Sequence, residues 1–139
     1  KELFQRSLSG VHSDDPDLLL GLAHAHFGLA EFAETLRALD DFKRANQGKT
    51  SQDGHLLYAR ALEESGRIDE AMDEYRALAD YSAGPEASCR LAMLLQAQGR
   101  ADEARALYES VVARSKTAGK HYNNLYQKWV AQARREAQA

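Results

Sequence analysis

Along most of this chain apolar side chains return every third or fourth residue, with polar ones between them. Within residues 55–65, Tyr58, Ala59 and Leu62 form one stripe, flanked by Leu57, Ala61 and Glu64. A second stripe follows at Ala71, Tyr75 and Leu78, spaced i, i+4 and i+7. This spacing predicts two helices divided by Gly66, a residue that tolerates the left-handed conformation of a helix-ending turn. Asp69 and Glu70 fall in the first turn of the second helix, where carboxylates meet the positive end of the helix dipole. Ala59 and Ala71 are small enough for the paired helices to approach closely, with Tyr75 filling the space beside them.

The pattern then repeats. GRIDEAMDEY (66–75) becomes GRADEARALY (99–108), and the same offset of 33 residues carries Tyr58-Ala59 to Leu91-Ala92, Leu62 to Leu95, Ala71 to Ala104 and Tyr75 to Tyr108. The second copy closes its stripe at Val111. A looser copy lies upstream in LLLGLAHAHFGLAEFAETLRAL, where Leu22-Ala23, His26, Ala30, Phe32, Thr35 and Leu39 fill the matching slots. Its offset is 36, so the connection around NQGKTSQDG has grown, an insertion that loops absorb at small cost.

These units resemble tetratricopeptide repeats. The residues that carry the resemblance are the large–small pairs Tyr58-Ala59 and Leu91-Ala92, then Leu62 and Leu95, Gly66 and Gly99, Ala71 and Ala104, Tyr75 and Tyr108. The match is strongest over 52–118. Upstream, Thr35 stands where the family prefers alanine and Ala30 where it prefers glycine, so the first unit is expected to pack less tightly or turn differently. The resemblance implies an all-α fold, a right-handed superhelical array of antiparallel helix pairs with a C-terminal capping helix. It divides the chain into the second half of a truncated repeat and a loop at 1–15, repeats at 16–51, 52–84 and 85–118, and a cap at 119–139. In the first segment Phe4 takes the slot of Tyr75, with Leu8 one turn on. In the last, Tyr122, Leu125, Tyr126, Trp129, Val130 and Ala133 form one apolar face of a single helix. Repeat stacks need such a cap over their last exposed face.

The phrasing of DDPDLLLGLAHAHFGLAEF and GHLLYARALEESGRIDEA also resembles the C-terminal part of bacterial membrane-anchored tetratricopeptide proteins, in which a hydrophobic segment precedes the repeats. That resemblance implies a cytoplasmic or inner-membrane-associated bacterial protein. Any anchor would lie upstream of Lys1, since this segment holds no apolar run long enough to span a bilayer and is expected to be soluble.

Composition adds one asymmetry. Residues 1–113 carry 12 basic and 20 acidic side chains, residues 114–139 six basic and one acidic, within a net charge of −3. The overall balance does not point to nucleic acid; the tail's surplus suits a solvated helix face, an acidic partner or an anionic membrane surface. Cys89 is the only cysteine, so no internal disulfide forms.

Nothing in the sequence assembles a catalytic or metal centre. His24 and His26 lie roughly 200° apart on a helix and cannot share a metal. His26 belongs to a packing slot and His24 to the opposite face. The carboxylate pairs Asp14-Asp15, Asp40-Asp41, Glu63-Glu64 and Asp73-Glu74 are adjacent, so they do not face one another on a helix. Gly48-Lys49-Thr50 lacks the earlier glycine and the preceding strand of a phosphate loop. No enzyme, cofactor or metal is expected.

In a stack of helix pairs the first helix of each pair lines the concave side. Subtracting the packing stripes leaves Leu20, His24 and Phe27 in the first unit, Leu56, Arg60 and Glu63 in the second, and Cys89, Met93 and Gln96 in the third, with Asp17, Asp53 and Glu86 at the helix starts; the resemblance adds Arg90, which fits a binding slot of the family. The expected function is a non-catalytic module that binds a peptide or helix of another protein in this groove, with Phe27, Leu56 and Met93 as its apolar contacts. The alternative is a structural spacer or self-assembly element of a larger protein, forming a homodimer through its ends, at Lys1 or the Trp129 helix. Family members that hold an acidic chaperone tail use lysines, an arginine and asparagines in the groove. Here the matching slots carry Leu20, His24, Leu57 and Glu86, and only Arg90 fits.

Overall fold

The computed structural model describes residues 15–47 and 51–138, and all regular structure among them is helical. The helices are α1 (Pro16–Gly28), α2 (Phe32–Ala45), α3 (Gln52–Glu64), α4 (Ile68–Tyr81), α5 (Glu86–Ala97), α6 (Ala101–Ala118), α7 (Lys120–Leu125) and α8 (Gln127–Gln138). Phe4, Leu8 and the phosphate-loop-like stretch at 48–50 lie outside the described residues. The chain divides into two compact units, one up to Ala71 and one from Met72.

Within the first unit, α1 begins at Asp15, whose carboxylate accepts from the amides of Asp17 at 3.0 Å and Leu18 at 3.4 Å, with Pro16 in the first turn. In α3, Ser51 does the same for Gly54 at 3.1 Å. Leu19 and Ala23 of α1, Ala38, Leu39 and Phe42 of α2, and Leu57 of α3 make the core, with Leu20, Leu22, Phe27 and Tyr58 packed against it. Leu57 and Ala61, expected on a flank, are as buried as Ala59 and Leu62. Two neighbouring sides of α3 are therefore covered, which widens its apolar face beyond a single stripe.

One turn occurs three times. After α1, the amide of Glu31 donates to the His26 carbonyl at 2.8 Å and that of Ala30 to Phe27 at 3.0 Å. After α3, Arg67 donates to Leu62 at 2.9 Å and Gly66 to Glu63 at 3.0 Å; after α5, Arg100 donates to Leu95 at 2.9 Å and Gly99 to Gln96 at 3.0 Å. This pair of bonds satisfies carbonyls that a helix end leaves open, and it needs one residue in the left-handed region. That residue has φ of 82° at Gly66, 77° at Gly99 and 59° at Ala30. The first unit therefore does not turn differently: alanine is held in the conformation its partners reach with glycine. Thr35 also keeps its place. It is fully buried, like Ala71 and Ala104, and its hydroxyl donates to the Glu31 carbonyl at 2.9 Å, so no buried polar group is left open.

In the second unit Tyr75 and Tyr108 are the largest fully buried side chains, joined by Met72, Leu78, Leu91, Ala92, Leu95, Ala104 and Val111. The expected single terminal helix is two. Gly119, at φ 91°, ends α6, and Tyr126 (φ −111°, ψ 24°) separates α7 from α8. The Tyr126 ring occupies the space beside Gly84, where an added Cβ would come within 2.6 Å of it. Val130 and Ala133 of α8 are buried, whereas Leu125, placed by the sequence on the same apolar face, is 62% exposed. α8 packs against α6 and, more lightly, α5.

Candidate functional site

On the first helices of the first unit, side chains left over from the core already engage one another. Arg60 of α3 holds its guanidinium 4.7 Å from the centre of the Phe27 ring of α1, and Phe27 meets Phe32 edge-on at 5.4 Å. His24 Nε2 lies 3.0 Å from an Asp53 carboxylate oxygen, both side chains open to solvent. Leu20 and Leu56 are half-buried, as is Glu63. The structure thus brings Phe27 to Arg60 and His24 to Asp53 across α1 and α3. His26, by contrast, is buried, with Nδ1 2.8 Å from Glu31, a packing role.

The second unit treats the corresponding positions of α5 differently, because α8 covers part of them. Cys89, expected on an open lining, is fully buried, and its thiol faces the Trp129 carbonyl at 3.7 Å. Burial, with Glu86 adding to it, pushes the Cys89 thiol up to about 12, so it stays protonated and unreactive at neutral pH. Arg90 is half-buried, bonded through Nε to Glu86 at 2.7 Å and stacked 5.2 Å from the Trp129 ring. Gln96 accepts from the Tyr108 hydroxyl at 3.1 Å and donates to Glu136 at 2.9 Å, while Gln132 donates to the same hydroxyl at 3.4 Å. Met93, at 37% exposure, stays open to solvent. The sequence identifies the terminal helix but not which α5 residues it takes up. The apolar face of that helix, at Trp129, Val130 and Ala133, is readable from spacing, but the helix it docks on is set by tertiary packing.

Among the described residues no group of three metal-capable side chains comes together, and no helix is long and apolar enough to cross a membrane.

Residues 85–117, spanning α5 and most of α6, match the tetratricopeptide repeat family. The crystal structure of a thermophilic TPR protein from Thermus thermophilus superposes with a TM-score of 0.66 at 20% sequence identity, covering 92% of this chain and 68% of that one. That likeness shows the fold, an all-α tetratricopeptide-type arrangement. No curated protein matches the chain.

Proposed function

From the premise that this chain carries a tetratricopeptide repeat within a tetratricopeptide-type fold, we propose that it is a non-catalytic module that binds a segment of another protein. The surface we assign to binding lies on α1 and α3 of the first unit, at Leu20, His24, Phe27, Leu56 and Arg60. The observation that carries this reading is the contrast between the units. The first keeps half-buried apolar side chains and a guanidinium on its first helices, while in the second α8 takes up Cys89, Arg90 and Gln96.

Contacts there are apolar and aromatic, so shape and burial provide affinity and the rim charges provide orientation. Peptides selected from a random display library against the 139-residue chain test this. The doubly substituted Phe27→Ala, Leu56→Ala variant should lose the selected peptides with its helical circular dichroism intact, and Met93→Ala should weaken them little. Retained binding in the double variant, or no enriched peptide at all, defeats the proposal. Peptides ending in the acidic chaperone motif EEVD should not bind, because His24 and Leu20 stand where basic and amide side chains would hold the terminal carboxylate.

The self-association reading has one feature in its favour, the exposed Leu125 at the end of α7. Light scattering of Leu125→Ala separates it from ligand capture. Trp129→Ala is the poorer probe, since Arg90 and Lys128 already flank that ring at 5.2 and 5.3 Å.

A further inference from the structure

Positive charge is treated differently along the chain. Arg37, Arg44, Arg67, Arg90 and Arg100 each pair with a carboxylate three or four residues away. From residue 114 onward that pairing stops. Arg114, Lys116, Lys120, Lys128, Arg134 and Arg135 are all exposed, and none meets a carboxylate among the described residues. Arg114 and Lys128 have aromatic neighbours instead, Tyr122 at 5.5 Å and Trp129 at 5.3 Å from the ring centres. Glu136 is the sole acid of the stretch, and it accepts from the Gln96 amide at 2.9 Å. At about 100° per residue, Arg135 lies within about 20° of Lys128 around α8, with the buried Val130 and Ala133 roughly opposite both. These two cations therefore project straight away from the fold. Leu125, between Lys120 and Lys128 in the chain, is more than half exposed.

Like charges on neighbouring short helices repel one another, and an extended anionic surface relieves that repulsion. The cations stand on three elements, α6, α7 and α8, which matches a diffuse sheet of phosphates better than the single carboxylate of a peptide. Leu125 matches the acyl boundary just beneath such headgroups, where the rings of Tyr126 and Trp129 are also at home. We propose that this end of the second unit, the end of α6 with α7 and α8, docks peripherally on an anionic lipid bilayer. The cations lie among the phosphates and Leu125 reaches the hydrocarbon. Residues 1–113 carry 20 acidic against 12 basic side chains, so the same surface repels them and the chain docks by this end alone. The contact is independent of the binding surface proposed on α1 and α3.

Flotation of the 139-residue chain with vesicles of phosphatidylcholine, alone or with about 30% phosphatidylglycerol, tests the proposal. Binding to the anionic vesicles only is expected, and it should vanish as salt approaches about 1 M, where charges are screened within about 3 Å. Each basic side chain at such a surface is worth about fivefold in partition, so Lys128→Gln with Arg135→Gln should lower it about 25-fold. Leu125→Ala should lower it several-fold. Arg37→Gln with Lys43→Gln, the same loss of charge on α2, should leave it unchanged. Equal binding to both vesicles, or partition unmoved by the Lys128 and Arg135 double variant, overturns the proposal. Tighter binding to soluble polyglutamate than to the anionic vesicles also overturns it, in favour of an acidic protein. The lipid and polyglutamate comparisons use the unmodified chain, so they decide the matter even if a variant unfolds.

Discussion

Replacing Ala30 with glycine should stabilise the protein, although glycine ordinarily weakens helical structure. Ala30 sits at φ 59° in the turn between α1 and α2, and its amide and that of Glu31 close the end of α1. A side chain in the left-handed region costs about 1–2 kcal/mol. Glycine removes that strain but gives the unfolded chain more freedom, worth about 0.4–1 kcal/mol against it. The net gain is about 0.5–1 kcal/mol. Gly66→Ala and Gly99→Ala should lose a similar amount by the reverse argument. Neither glycine has any atom within 4 Å of an added Cβ, so backbone strain alone sets the cost and the two values should agree. Ala25, exposed within α1 and upstream of Ala30, provides the internal control: Ala25→Gly should cost about 1 kcal/mol. Urea unfolding followed by circular dichroism reads all four. The midpoint of Ala30→Gly should rise by roughly 0.5 M while that of Ala25→Gly falls. An Ala30→Gly variant less stable than its parent would refute the reasoning, since it would mean the turn is held by something other than the conformation described.

Three further outcomes follow from the seam between α5, α6 and α8. The Cys89 thiol titrates near 8.5 when unfolded but at about 12 when folded, so its stabilising contribution is complete below the lower value and is lost as pH rises toward the higher; melting temperature should fall less steeply between about pH 9 and 11 in Cys89→Ala than in its parent. Tyr108→Phe removes the hydroxyl shared by Gln96 and Gln132 and should cost about 1 kcal/mol in a urea melt. Ala133 is fully buried, so Ala133→Leu should overpack by about 1–3 kcal/mol and loosen α8. The native Cys89 thiol, inert to a thiol reagent in the parent, should then react within minutes; continued inertness would show that α8 is not what shields it.

Much of the fold is legible because its determinants are local. Gly66 and Gly99 mark turns through their own backbone freedom, and the stripes of Ala71 with Tyr75 and Ala104 with Tyr108 mark buried faces through spacing. Ala30 is the harder position, since the surrounding bonds impose the turn on a residue that does not favour it. The candidate lining is less legible because burial there depends on what docks from elsewhere. By periodicity Cys89 and Leu56 are equivalent, yet one is sealed beneath α8 and the other half-open. Leu125 departs from its expected face for a related reason: a break at Tyr126 changes which way the preceding turn faces, and Gly84, far back along the chain, supplies the space for that tyrosine.

The closing helix has a shallow hold. Its wholly buried side chains are Val130 and Ala133, an isopropyl group and a methyl, and the rest of its attachment is amide, phenol and guanidinium contacts at the edge of water. Opening should therefore begin at this end and proceed inward, so a protease attacking the folded chain would shorten it from the carboxyl terminus before cutting the paired helices behind.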